Sequence, residues 1–170
     1  FSLALNSCTA GLHLSCLTLD LKPGDEVITT AMTFCATVNS IIHAGGKPVL
    51  VDIDPSSWNI DCNKLEEKIT SKTKAIIPVH FAGRACDMDK IMGISKIHNL
   101  KVIEDCAHAI ETVYKGRNAG NIGDMGVFSF YATKNLAVGE GGMIISDNES
   151  LISKLKISAL HGMSKDAWSR

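Results

Sequence analysis

The sequence has little aromatic content, 5%, and almost no net charge, since 17 Lys and Arg face 18 Asp and Glu to leave −1 over 170 residues. So even a balance offers no electrostatic footprint for nucleic acid or for an anionic membrane surface. Six cysteines (Cys8, Cys16, Cys35, Cys62, Cys86 and Cys106) are scattered without a C-x-x-C pair or an accompanying histidine cluster. That pattern argues against a zinc site and a disulfide framework and points to a reducing compartment, with most of the thiols acting as small buried hydrophobes. No metal site is expected. Long apolar runs are missing too: the opening FSLALNSCTAGLHLSCLTL is interrupted by Asn6, Ser7, Thr9, His13 and Ser15 and has no basic residues ahead of it. There is no G-x-G-x-x-G and no G-x-x-x-x-G-K-[ST], and GEGGMI leaves a loop to enter a strand, the wrong context for a nucleotide fingerprint. Repeats, low-complexity tracts and linkers are absent. The expectation is a soluble, cytoplasmic protein whose partners are small molecules or copies of itself, with no nucleic acid and no membrane.

What is present is 45% hydrophobic residues, enough for one substantial core, arranged as apolar runs that alternate with helical patterns. Strands are predicted at Ser2 to Leu5, Glu26 to Thr30, Lys47 to Ile53, Lys74 to His80, Lys101 to Asp105, Met125 to Tyr131 and Gly142 to Ser146. Helices are predicted from Thr9 to Leu19, from Phe34 to the Gly45-Gly46 stop, over NKLEEKI, over DMDKIMGISKIHN with Ile91, Ile94 and Ile97 at helical spacing, and from Glu149 to His161. This alternation implies crossover units on a mainly parallel sheet, an α/β fold.

Open sheets of this kind bind ligands beyond the carboxyl ends of their strands, so the polar residues there are the informative ones. After the first strand, Ser7, Cys8, Thr9 and Ala10 stand where a helix begins. They read either as an anion cradle or as a plain Ser/Thr N-cap, and the stretch alone favours the cap. The second strand is followed by AMTF, which carries Phe34. After the fifth, Glu104 and Asp105 precede His108, a residue type more often structural than functional when it stands alone. The sixth leads through SFYATK into Lys134, a lone amine at the mouth of buried sheet, where it is either an ordinary solvated lysine or a group held for chemistry.

A lysine, a strand-end aspartate, a phosphate cradle and a flat aromatic around one sheet edge together meet the requirements of pyridoxal phosphate, which needs an amine, a partner for the pyridine nitrogen, an anion site and a stacking surface. The conjunction is more specific than any one member.

In chain order, NSCTAGLHL, TTAMTFCATVNSI, PVHFAGRACDMDKI, VIEDCAHAI, GDMGVFSFYATKNLAVGEGGMIIS and HGMSKDAW resemble the motifs of the DegT/DnrJ/StrS family of pyridoxal-phosphate-dependent sugar aminotransferases, over nearly the whole chain. The resemblance implies the large domain of the fold type I transferases, a three-layer α/β/α unit like that of aspartate aminotransferase. Residue by residue, Lys134 resembles the Schiff-base lysine and Asp105 the partner of the pyridine nitrogen. Thr9 and Ala10 stand at the phosphate-binding positions, with Ser129 adding a hydroxyl. Phe34 matches the ring-stacking aromatic, and His108 the residue near the cofactor's phenolic oxygen. Tyr131 stands where many relatives have histidine.

The family's activity is transfer of an amino group from glutamate, sometimes glutamine, to a keto group of a nucleotide-linked sugar, for surface glycans or natural products. A related dehydrating branch carries histidine in place of the lysine, so Lys134 argues against that branch. The chain is expected to be the cofactor-binding large domain over residues 1–170, without the amino-terminal segment and carboxy-terminal small domain of relatives, and to work as a homodimer when whole. The weighed alternatives are a non-catalytic sensor or scaffold that kept the fold, and a nucleotide-binding domain with an incidental lysine. Trp58 and Trp168 read as packing or surface residues without aromatic partners, and Arg84 and Arg117 as surface arginines.

Overall fold

Adjacent residues of the central strands belong to two different cores, and that alternation builds the fold. The computed structural model describes residues 1–163. Within them the elements run β1 (Ser2–Leu5), α1 (Cys8–Leu17), β2 (Glu26–Thr30), α2 (Cys35–His43), β3 (Lys47–Val51), β4 (Thr73–Ile77), α3 (Met88–His98), β5 (Lys101–Cys106), β6 (Val113–Tyr114), β7 (Arg117–Asn118), β8 (Met125–Ser129), β9 (Gly142–Ile145) and α4 (Glu149–Ala159). Seven strands form one sheet in the order β1-β9-β8-β5-β4-β2-β3. Strand β9 is antiparallel to both its neighbours and every other pairing is parallel.

Because side chains of a strand alternate between faces, Val27, Ala75, Ile77, Ile103, Met125 and Val127 pack with Leu12, Ile41 and Leu155 of α1, α2 and α4. Their neighbours Ile28, Ile76 and Val102 pack on the other face with Leu65, Met88 and Ile91. Each fully buried Leu or Ile in these layers contributes about 1.5–3 kcal/mol. The result is the expected three-layer α/β/α arrangement, with α1, α2 and α4 on one face and α3 on the other.

Local chemistry sets the helix ends. Ser7, Asp87 and Asn148 cap α1, α3 and α4, each side chain accepting the N–H three residues on. Asn99 closes α3 in the left-handed conformation. Several expectations need correction. NKLEEKI buries only Leu65 and forms a single 3-10 turn, Glu66–Lys68, too short a segment to sustain an α-helix. On α3 the stripe facing the sheet is Met88, Ile91 and Ser95, while Ile97 is 74% exposed, because repeated steps of three drift away from a 3.6-residue period. Strand β4 stops before Pro78, which lacks the N–H that a ladder requires. Strand β8 ends at Ser129, where the chain leaves the sheet for the Lys134 loop, and β3 ends at Val51. The segment after β5, for which no strand is predicted, holds a small hairpin, β6 with β7. Trp168 and the end of HGMSKDAW lie outside the described residues. No helix among the described residues is long and apolar enough to cross a membrane.

Candidate active site

The carboxyl ends of β5 and β8 and the amino ends of α1 and α2 surround a cavity of about 450 Å³, a volume ordinary for a small-molecule site. Asp105, His108, Ser129, Lys134, Thr9 and Phe34 all line it, as does Tyr131, so seven residues singled out in the sequence converge on one space. Ala10 does not line it. It borders a smaller neighbouring cavity, and its N–H donates to Ser7 Oγ at 3.1 Å. The capping reading of Ser7 therefore holds, and the N–H groups left without intrahelical partners at the start of α1 are those of Cys8 and Thr9.

Strand alternation separates the two adjacent acids. Asp105 shares a face with Ile103 and points toward α2, where Oδ2 accepts from Thr37 Oγ1 at 2.8 Å and Oδ1 accepts from the Ala107 N–H at 3.1 Å. Thr37 Oγ1 also lies 2.7 Å from Thr33 Oγ1. Burial pushes the Asp105 carboxyl above its ordinary range, and the Thr37 and Ala107 hydrogen bonds oppose that rise. A carboxylate has about four acceptor positions, so Asp105 retains capacity for one more donor from the cavity.

Glu104 faces the other way and is wholly buried. It accepts from His80 Nε2 at 2.9 Å and from the N–H groups of Gly120, Ile122 and Gly123 at 2.6–2.9 Å. Burial alone would raise its pKa, but these four donors outweigh it and hold the carboxyl below its ordinary range. His80 Nδ1 in turn accepts from the Cys86 N–H at 3.1 Å, so its ring proton sits on Nε2. His80, Glu104 and Cys106 lie close enough to suggest a metal cluster. The imidazole and carboxylate are instead committed to this network, which ties the 118–123 segment to the sheet.

His108 is exposed at the cavity wall. Its Nδ1 accepts from the Ala82 N–H at 3.3 Å, and its ring meets Phe81 edge-on at 6.2 Å. Partial burial and then the nearby Lys134 cation lower its pKa, while Asp105 pulls the other way. Lys134 is half-buried in the excursion between β8 and β9, and its own N–H donates to Tyr131 O at 2.9 Å. Backbone hydrogen bonds from Phe130 to Gly141 and from Val138 to Phe130 close the neck of that excursion. Ser129 continues the Met125–Val127 face of β8, which brings its hydroxyl to the cavity. Phe34 caps α2 without a side-chain bond and is 75% exposed, its ring free at the rim.

The close fit of α1 is set by glycines. A Cβ on Gly142 would stand 2.3 Å from Ser7 C and 2.5 Å from Cys8 N, and one on Gly11 would stand 2.6 Å from Val127 Cγ1. The β1–α1 turn can sit against β9 only because Gly142 has no side chain.

Against known proteins, the model of the DegT/DnrJ/EryC1/StrS aminotransferase family matches residues 1–170. The chain belongs to that family. It is 54% identical to the spore coat polysaccharide biosynthesis protein SpsC of Bacillus subtilis, over 99% of this chain and 43% of SpsC. It is 44% identical to GDP-perosamine synthase of Caulobacter vibrioides, over 95% of this chain and 44% of the synthase. Spr1654 of Streptococcus pneumoniae, solved in a PLP form, superposes with a TM-score of 0.89 at 38% identity, over 96% of this chain and 47% of that one. The chain thus spans less than half the length of these family members.

The residues present fit pyridoxal phosphate. The cavity holds a buried carboxylate with an acceptor position to spare, free N–H groups at a helix start with the Thr9 and Ser129 hydroxyls beside them, an unstacked aromatic, and a primary amine. Sequence reasoning missed three contributors. Thr37 and Thr33 stand three residues on from and one before Phe34 within a quoted motif, but nothing in that spacing points across to β5. Phe81 borders the cavity, and Trp58 does have an aromatic partner, since it stacks on Phe81 at 6.0 Å and 14°. Arg84 and Arg117 donate to the backbone carbonyls of Ser56 and Asn121, consistent with their reading as surface residues.

Proposed function

We propose that this chain is the cofactor-binding large domain of a pyridoxal-phosphate-dependent sugar aminotransferase, one that passes an amino group from glutamate or glutamine to the keto carbon of a nucleotide-linked sugar. The observation that carries this reading is the convergence of Lys134, Asp105, His108, Ser129, Thr9 and Phe34 on one cavity within a family of aminotransferases. When bound, pyridoxal phosphate supplies an electron sink for charge developing at the amino donor's α-carbon.

The chain's own groups divide the remaining work. Asp105 would hold the pyridine nitrogen in its protonated form and, being buried, would answer that charge at low local dielectric. The Cys8 and Thr9 N–H groups with the Thr9 and Ser129 hydroxyls take the phosphate at the positive end of α1. Phe34 would supply the flat apolar surface for the ring. Lys134 is the amine that would hold the cofactor and, when free, would carry a proton to or from the amino donor's α-carbon.

Substrate recognition is assigned to segments outside this chain and to a second copy in a homodimer. Exposed apolar residues around Lys134, namely Tyr131, Leu136 and Val138, support a covering partner there. The names of SpsC and GDP-perosamine synthase support a sugar as the amino acceptor.

The test is borohydride reduction of the protein with pyridoxal phosphate, followed by mass spectrometry. Pyridoxyl modification confined to Lys134, with transamination abolished in Lys134→Ala and crippled in Asp105→Ala, is the expected result. Normal turnover by either variant, or modification scattered over other lysines of the full-length protein, would overturn the reading.

A further inference from the structure

Outside the cavity, the turn from Asp54 to Asn59 holds a bulky residue, Trp58, in left-handed backbone. An isolated Ile53–Ile60 bridge closes it, and the Trp58 N–H donates to Asp54 O at 2.8 Å. Trp58 adopts φ +64°, a left-handed conformation that is an outlier for a bulky residue and that glycine would take without strain. Its ring is half-exposed yet lies flat on Phe81. The next residue, Asn59, is buried, and its side chain grips the opposite segment three times. Oδ1 accepts from the Phe81 N–H at 3.0 Å, and Nδ2 donates to Arg84 O and Ala85 O, each at 3.0 Å.

The gripped segment also turns through the left-handed region, with Ala82 at φ +50°, a strained value for a residue with a side chain, followed by Gly83 at φ +80°, which glycine takes freely. Phe81 itself borders the cavity, and the segment meets His108 there twice. Phe81 meets the His108 ring, and the Ala82 N–H donates to His108 Nδ1. Thr112 Oγ1 fastens the far side by donating to Gly83 O at 2.6 Å. A backbone N–H can only donate, so the nitrogen that it meets must be bare, and the His108 ring proton belongs on Nε2.

We propose that Trp58 and Asn59 are positioning residues for His108. They hold the Phe81–Gly83 turn so that the Ala82 N–H fixes the His108 tautomer and leaves Nε2–H as the donor available to the cavity. This rests on the aminotransferase reading, in which His108 stands beside the cofactor's phenolic oxygen. An Nε2–H donates to that oxygen and stabilises its anion. The other tautomer would present a lone pair to an anion and repel it. Strain in a left-handed tryptophan is then the conformational cost of placing an aromatic buttress where the turn demands a glycine-like backbone.

The experiment uses the full-length protein, unaltered and as Trp58→Gly, Trp58→Phe and Asn59→Ala. Trp58→Gly relieves the backbone strain while removing the ring, so it folds without the buttress, and Trp58→Phe keeps an aromatic on Phe81. Nitrogen-15 NMR of the His108 ring in cofactor-free protein reads the tautomer directly. A single Nε2–H form is expected in the unaltered protein and in Trp58→Phe, with averaging toward both tautomers in Trp58→Gly and Asn59→Ala. In the loaded enzyme kcat should fall on the order of tenfold in Trp58→Gly with little change in KM, and recover in Trp58→Phe. A mixed or Nδ1–H form in the unaltered protein, or a Trp58→Gly variant that keeps the single tautomer, overturns the proposal. Because the NMR measurement needs no cofactor, failure of Lys134 to take up pyridoxal phosphate would overturn the aminotransferase reading and leave the His108 result to be judged on its own.

Discussion

Thr37 Oγ1 donates to Asp105 Oδ2 at 2.8 Å across the interface between α2 and β5, and this is the polar side-chain bond that places the buried carboxylate at the cavity floor. Without the cofactor, Asp105 is an acid that the fold does not fully satisfy. Its folded pKa lies above the ordinary 3.8 because burial outweighs the Thr37 and Ala107 donors. A carboxyl with a raised folded pKa costs stability when ionised. That cost is absent below the ordinary value, grows as pH rises from about 3.8 through the raised value, and is constant above it. Asp105→Asn should therefore be more stable than the unaltered cofactor-free protein at neutral pH, and no more stable near pH 3, in chemical denaturation. The same variant should lose transamination. Equal stability at pH 7 would mean that Asp105 is already satisfied and that the site does not hold a charge in reserve.

Glu104, its neighbour in sequence, should behave oppositely. Its folded carboxyl lies below the ordinary 4.5, so the stability that it contributes is present above that value and is lost as pH falls through the lowered one. Glu104→Ala strands His80 and three backbone N–H donors in the interior and should cost roughly 3–5 kcal/mol at pH 7, read from the denaturation midpoint. A loss below about 1 kcal/mol would show that the 118–123 segment does not depend on this network.

That pair also marks how far the sequence could be read. The run of buried types from Val102 to Cys106 identifies a strand, and Asp105 with His108 and Lys134 could be placed near one sheet edge because parallel α/β sheets put ligands beyond their strand ends. The start of α1 was legible because the side chain of Ser7 caps it, whereas the caps at Asp87 and Asn148 emerged only with the structure. What could not be read were the contacts between distant segments. Nothing local says that Glu104 is met by the backbone of Gly120 and Gly123, that Thr37 reaches Asp105 over 68 positions, or that Trp58 finds Phe81. One short helix failed for a related reason: NKLEEKI has the right pattern, but too few buried residues to repay helix nucleation.

His108 offers a titration that tests the electrostatics of the cavity directly. Burial is the larger cause of its lowered pKa and the Lys134 cation the second. In cofactor-free protein, Lys134→Met should move the His108 midpoint upward, toward but not up to the ordinary 6.5, since burial remains. NMR of the ring protons would follow it. The unaltered protein should also lose stability as pH falls below 6.5, because protonating His108 is harder in the folded than in the unfolded chain, and Lys134→Met should lessen that loss. An unmoved midpoint would place the Lys134 amine too far from His108 to share a ligand with it.

Gly142 tests the phosphate cradle. An added Cβ would meet the Ser7 carbonyl carbon at 2.3 Å and the Cys8 nitrogen at 2.5 Å, both backbone atoms that cannot rotate aside. Gly142→Ala must push the β1–α1 turn off β9 at a cost of about 1–3 kcal/mol. The displaced turn carries the Cys8 and Thr9 N–H groups, so pyridoxal phosphate should bind about tenfold more weakly, a loss of about 1.4 kcal/mol. Gly116→Ala is the control. Gly116 sits at φ +82° in the β6–β7 hairpin with nothing within 4 Å of its added Cβ, so the substitution strains the backbone by about 1–2 kcal/mol without touching the cavity. Both variants should be destabilised, and only Gly142→Ala should lose affinity when cofactor binding is titrated by absorbance. Equal affinities in the two would detach the cradle from the β1–α1 turn and send the search for the phosphate site elsewhere along the sheet edge.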